Sequence, residues 1–424
     1  MGTSQGKKSF FPYLVVATGI VGCFAPCALA LSCAGIFFTP VSEALGVGRG
    51  VFALYLTIML LATTIALPFE GKLMETKDLR VVLSAAVVLI GVPLVCMSFC
   101  NAVWQFYIAG AFMGFGLAAL LILSVPTLIN RWFRKNVGFY IGLCMAFTGI
   151  GGVVFNLVGG AFIASGLDGW RMGYLVFGII ALVVALPLTL FCVRSYPHDI
   201  GLEPVGASEA ASAAPGAGAN ASAAEGVTAS TAMKTSAFFL VAIFAGFINL
   251  AINFYQYLPS YATSLTPYPD VVAISATLAS AAMLGQAIGK VLLGIINDKV
   301  NVYAGLFVST GCGAIGLAVM WLVPGSVPAM LAGGFVFGVF YASATVLAPL
   351  MVRTIFGTLE YSTIYSRVAM VGSLAGAFAA SVWGFVVDAA GFSNVFVIGI
   401  AGAILVAVFG VLALNARKKI PTRK

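Results

Sequence analysis

The chain has 424 residues, 61% of them hydrophobic and only 8% charged, a balance that excludes an ordinary soluble globular protein, in which about a quarter of residues are charged. Its formal net charge of +8 reads as a topology signal and implies no nucleic-acid partner. What remains is an all-α membrane protein in contact with a lipid bilayer on most of its surface.

Stretches of about 20 apolar residues, long enough to cross a bilayer as a helix, occur twelve times. In the first half they are Phe11 to Phe38, Val51 to Phe69, Val81 to Cys100, Val103 to Ile129, Val137 to Ser165 and Met172 to Val193. In the second half they are Ala237 to Tyr261, Val271 to Ile296, Val302 to Val323, Val327 to Met351, Tyr361 to Val387 and Phe392 to Leu414. Between them, residues 195–235 include the run GASEAASAAPGAGANASAAEG, too poor in large apolar residues to bury a core. The expected organisation is a six-helix half over residues 1–194, a flexible linker over 195–235 and a second six-helix half over 236–424.

With the N-terminus inside, seventeen of the 21 Lys and Arg residues fall in inner segments, and only Arg49 and Arg171 fall in outer ones. Retention of positive charge on the inner side then implies a multi-pass protein of the cell (plasma or inner) membrane with both termini and the linker cytoplasmic. The remaining two cations, Lys290 and Arg367, stand inside spans eight and eleven. A charge near mid-bilayer costs roughly 2.5–3.5 kcal/mol on insertion scales, so by default it marks a substrate or ion path. Lys290 is the sharper case, because its run from Val271 to Ile296 holds no carboxylate to neutralise it.

All thirteen carboxylates read as loop or helix-end residues, and the one histidine, His198, lies in the linker. A side-chain proton relay through the membrane centre is therefore not expected. The eight cysteines lie in spans without a histidine partner, so neither a metal site nor a cofactor is expected.

Two short segments repeat at equivalent points of the halves: Gly71 to Lys77 after span two, and Gly294 to Lys299 after span eight. Each is a glycine, three residues, an acid (Glu75, Asp298) and a base within two positions. This resembles the loop motif of the major facilitator superfamily, which implies that fold and a gating set of Gly71, Glu75, Arg80, Gly294, Asp298 and Lys299. In that motif the glycine permits close helix contact and the acid sits by a neighbouring helix N-terminus.

Within the superfamily the chain is similar to the oxalate/formate antiporter and monocarboxylate porter branch. The segments that carry the resemblance are FFTPVSEALGVG from Phe37, PFEGKLMETK from Pro68, INRWFRKNVGFYIG from Ile129, AIGKVLLGIINDK from Ala287 and LAPLMVRTIFG from Leu347. The branch carries a basic residue four positions before the second motif glycine, where Lys290 stands; Gln286 occupies the place, one turn earlier, where monocarboxylate porters often have an acid. A second lysine expected of an oxalate porter around Met370 to Gly372 is absent, with Arg367 one turn away.

These residues define an expected binding site for a small organic anion: Lys290, Gln286, Tyr341, Arg367 and the helix-seven stripe Asn249, Asn253 and Tyr257, spaced four apart. The expected activity is secondary-active or facilitative transport of a small organic anion, a monocarboxylate by the resemblance, through exchange, uniport or proton coupling by a monomer. Two other readings stand beside it. One is a facilitator exporting a neutral or amphipathic compound with Lys290 structural, and the other is a non-transporting membrane sensor. No nucleophile, base and acid grouping suggests an enzyme.

Overall fold

The structure, a computed structural model, describes residues 10–47, 49–163, 166, 168–206 and 226–419. The Ala- and Gly-rich middle of the expected linker, residues 207–225, lies outside them. Among the described residues, eleven helices are long and apolar enough to cross a membrane. We number the spanning helices α1 (Phe11–Phe37), α2 (Arg49–Thr76), α3 (Leu79–Met97), α4 (Val103–Trp132), α5 (Val137–Ile163) and α6 (Gly169–Phe191) in the first half. The second half holds α7 (Ser236–Tyr257), α8 (Ser275–Lys299), α9 (Val302–Leu322), α10 (Val327–Phe356), α11 (361–390) and α12 (Gly391–Ala416).

The apolar runs set the helices, and punctuation sets their ends. At Asp78, extended backbone (φ −64°, ψ 123°) stops the chain between α2 and α3, and the carboxylate accepts the Arg80 N–H at the new N-terminus. Between α11 and α12 there is no loop: Gly391 alone leaves the helical region (φ 70°, ψ 165°), a conformation that favours glycine. Long outward side chains such as Phe69 and Phe191 form the lipid-facing surface, where burial against protein is not required.

One apolar run extends further than its hydropathy indicates. Helix α2 continues through Lys72-Leu73-Met74-Glu75 to Thr76, since nothing in that stretch opposes helix formation strongly enough to end it. Glu70 is therefore not a helix-end acid but lies inside α2, a correction to the reading that every carboxylate falls at an end. Three other spans are irregular. Helix α1 widens to a π-helix over Cys23–Ser32 around Pro26, α4 does so over Ala118–Leu123, and α7 tightens to a 3-10 helix over Asn253–Tyr257. Such interruptions shift every later side chain around the helix.

The halves meet through α5 against α8 and α2 against α11. At Gly142 a Cβ would overlap the Lys290 carbonyl oxygen, and at Gly138 it would lie 2.6 Å from the Gly294 carbonyl. On the other seam a Cβ at Gly71 would overlap the Ser366 side chain. Only glycine lets these backbones touch. All three contacts lie at or toward the end of the bundle carrying the repeated motifs, so the halves are closed against each other there.

The described ends of the linker are seated on the helices. The Val205 N–H donates to Trp132 O at 2.9 Å, and the Arg134 N–H donates back to Val205 O at 2.9 Å. On the second half the Val227 N–H donates to Phe356 O at 3.1 Å and the Ala229 N–H to Glu360 Oε2 at 2.8 Å.

Candidate functional site

At the closed end the two motif acids cross over. Glu75, on α2, accepts the Ser362 N–H through Oε1 at 2.9 Å, so a first-half carboxylate caps the N-terminus of α11 in the second half. Asp298, on α8, accepts the Gly138 N–H at 2.8 Å and the Phe139 N–H at 2.6 Å, capping α5 of the first half. A carboxylate at a helix N-terminus satisfies orphan N–H groups and meets the positive end of the helix dipole. Thr127 and Ser362 add a hydroxyl contact of 3.0 Å between α4 and α11.

The basic members of the motif play different parts from those their spacing suggests. Arg80 does not reach the other half: its guanidinium binds the Asp78 carboxylate at 2.6 Å, and this hydrogen bonding holds the Asp78 carboxyl below its usual range. Lys299 is exposed at the end of α8. The cation that binds Glu75 is Arg131 on α4, whose Nη2 donates to Oε2 at 2.9 Å and also to Met74 O at 2.9 Å. The ring of Tyr196, from the start of the linker, covers this guanidinium at 4.3 Å. Arg131 stands in the Ile129 segment that the sequence singles out, but its partner is 56 residues away. No local pattern links the two.

Deeper in the bundle, Lys290 is 3% exposed and lies on the face of α8 that packs against α5. Its Nζ donates to Met145 O at 3.2 Å and to Thr148 Oγ1 at 3.1 Å, both on the opposite half. The Thr148 hydroxyl passes its own hydrogen to Met145 O at 2.8 Å. Among the described residues no carboxylate pairs with Lys290; Cys23, at the start of the π-helix in α1, lies within electrostatic reach. The ammonium is thus hydrogen-bonded but not neutralised, a state that leaves a net attraction for an anion in a low-dielectric interior.

Gln286, one turn away, is also buried, and its side chain lies beside the hydroxyl of Tyr341 on α10. Tyr341 stacks on Tyr255 of α7, with ring centroids 4.7 Å apart and planes at 20°. Thr148, Lys290, Gln286, Tyr341 and Tyr255 therefore form one polar and aromatic group, of which Tyr255 and the α5 residue Thr148 lie outside the set expected from the sequence.

The asparagine stripe is placed elsewhere. Asn249 donates to Ala245 O at 2.8 Å and faces Gly372 of α11, while Asn253 donates to Asn249 O at 2.6 Å and accepts from Gln256. Tyr257 packs on the apolar core. The i, i+4 spacing misplaces it because residues 253–257 run at three per turn, turning the fourth residue by about 120° instead of 40°. Arg367 is partly buried and lies on the α11 face that continues to Leu374 and Phe378, 46% and 58% exposed. Its Nε is buried without a hydrogen-bond partner. The structure does not bring Arg367 to Lys290.

A family model described as Major Facilitator Superfamily matches residues 20–269 and 269–424. Among curated proteins, the chain is 27% identical over 154 residues to the glucose-6-phosphate exchanger SLC37A2 of Xenopus laevis, covering 35% of this chain and 30% of that protein. It is 36% identical over 81 residues to the probable transporter MCH2 of Saccharomyces cerevisiae, covering 19% and 17%. With an MFS-type transporter of Gibberella moniliformis it shares 24% identity over 328 residues, 76% of this chain and 72% of that one. The chain thus spans less than a third of the first two relatives. Among solved structures, the proton:xylose symporter XylE bound to 6-bromo-6-deoxy-D-glucose matches with a TM-score of 0.70 at 15% identity, over 99% of this chain and 98% of that one. That likeness is one of fold.

Proposed function

This chain belongs to the Major Facilitator Superfamily, as a multi-pass membrane transporter of a small molecule, and from that premise we propose that it carries a small organic anion. The observation that carries the proposal is Lys290: a buried ammonium between the halves, bonded only to a carbonyl and a hydroxyl among the described residues. An anion arriving there gains an interaction no protein carboxylate already satisfies, and it competes with Met145 O and Thr148 for the same Nζ. Substrate binding then loosens a contact between α5 and α8, which ties occupancy of the site to rocking of the halves.

The proposed substrate class is a monocarboxylate, in keeping with the similarity to the oxalate/formate and monocarboxylate porters and with one interior cation in place of two. The glucose-6-phosphate exchanger supports an anion more generally. Gln286 and the Tyr255–Tyr341 pair complete the contact surface, and Glu75 and Asp298 hold the motif end shut in the intervening state. We place that end, the linker and both termini in the cytoplasm on the lysine and arginine count, with residues 1–194 and 236–424 as the rocking halves. Counterflow in proteoliposomes with a panel of labelled monocarboxylates, dicarboxylates and sugar phosphates tests this; uptake of none of them by active protein contradicts it.

One observation favours a second reading. Lys290 already has two hydrogen-bond partners, as a purely structural interhelical lysine would. In that case the cargo is a neutral or amphipathic compound, and Lys290→Gln lowers stability while leaving the ratio of transported compounds unchanged.

A further inference from the structure

We propose that Glu70 is a proton-binding site, holding a proton while the motif end of the two halves is closed and releasing it when that end opens. The site needs no substrate and stands independently of the anion assignment.

Glu70 is placed by the extension of α2 beyond its apolar run. Ala66 and Met74, one turn to either side, are fully buried, whereas Phe69 is 71% exposed to the lipid side. The next residue, Gly71, is pressed against Ser366 of α11 in the other half. Glu70 shares the face of Ala66 and Met74, toward α4 and beside the seam with α11, and the residue as a whole is partly buried, with one carboxylate oxygen enclosed. On α4, Gly114 packs on Met59 and Arg131 reaches Met74 O and Glu75, which sets Glu70 between these two contacts, beside the stretch that holds Val125 and Pro126. Both of these are buried.

In this environment Glu70 Oε2 is buried and has no hydrogen-bond partner. The charged and titratable groups on the surrounding elements are otherwise engaged or turned away. Arg131 of α4 is bound to Glu75, and Arg80 of α3 to Asp78. On α11, Tyr365 is buried, Arg367 lies on the face shared with the exposed Leu374 and Phe378, and Glu360 accepts from Ala229. On α2 itself Lys72 and Lys77 are exposed. An ionised carboxylate with an oxygen buried and unpaired is far more costly than a neutral carboxyl, so the closed arrangement selects the protonated form. Separation of α2 from α11 admits water to the same side chain and removes that preference. Protonation and closure are then linked, and the closed-to-open ratio falls as pH rises, by up to about tenfold per pH unit for one coupled proton.

The test uses the full chain in lipid, with Cys96, Cys192 and Cys312, the cysteines with surface exposure, replaced by serine. Spin labels at Lys77→Cys and Leu359→Cys report the spacing of the halves at the motif end by pulsed electron resonance. The expected result is a short distance at acid pH and a growing long-distance population as pH rises, with Glu70→Gln fixed at the short distance throughout. Infrared difference spectra between acid and alkaline pH should show a protonated-carboxyl band in the wild type that Glu70→Gln lacks. A pH response in Glu70→Gln equal to that of the wild type overturns the proposal. So does a flat profile in the wild type, which is decisive even if the variant fails to insert.

Discussion

Lys290 illustrates how a single side chain can be satisfied in hydrogen bonds yet unsatisfied in charge. Its two acceptors, Met145 O and Thr148 Oγ1, solvate the ammonium without cancelling it. Removing the charge should therefore cost more than removing the contacts. Lys290→Gln is expected to reduce anion counterflow by at least about tenfold, since loss of one partner of a desolvated charge pair costs about 2–5 kcal/mol and about 1.4 kcal/mol is a factor of ten. Lys290→Arg retains the charge but presents a planar fork to a site built around an ammonium, and should keep part of the activity. Initial rates in proteoliposomes of both variants check this, and wild-type counterflow by correctly inserted Lys290→Gln would exclude Lys290 as the anion's partner.

Among elements, the seams between α5 and α8 and between α2 and α11 are governed by glycines and by caps that cross the interface. Gly142→Ala places a methyl group against the Lys290 carbonyl and should disfavour the closed motif end by about 1–3 kcal/mol, the usual cost of overpacking. The readout is a loss of cross-linking between cysteines placed across that seam. Glu75→Gln and Asp298→Asn keep an oxygen acceptor but lose the charge facing a helix N-terminus, worth about 0.3–1 kcal/mol each. Turnover should slow with substrate affinity within a few fold, measured as separate maximal rate and half-saturation; an affinity loss at unchanged turnover would argue against gating. The acids were legible in the sequence because they repeat at matched positions of the two halves. Their counterparts were not, because Arg131, Ser362 and the N–H groups of Gly138 and Phe139 are brought to them only by tertiary packing. Twelve apolar runs likewise announced the helices, but not the π-helices in α1 and α4 or the 3-10 turn in α7. That turn rotated Tyr257 away from the stripe of Asn249 and Asn253, and the same turn carries the Tyr255 that stacks on Tyr341.

For the whole molecule, orientation follows from the distribution of cations. A cysteine introduced at Gly216, in the Ala- and Gly-rich stretch outside the described residues, should resist an impermeant thiol reagent added to intact cells and react after permeabilisation. Labelling in intact cells would invert the topology. A different consequence comes from the seating of the linker ends, Val205 on Trp132 and Arg134, and Val227 and Ala229 on Phe356 and Glu360. Each end is held by its own half, and the halves are held to each other by the crossed caps and the glycine seams. Peptide continuity through residues 207–225 is then dispensable for assembly. Fragments 1–206 and 226–424, produced together as two polypeptides, should co-purify from detergent as a one-to-one complex and reconstitute transport, as a molecule whose unity is packed rather than covalent.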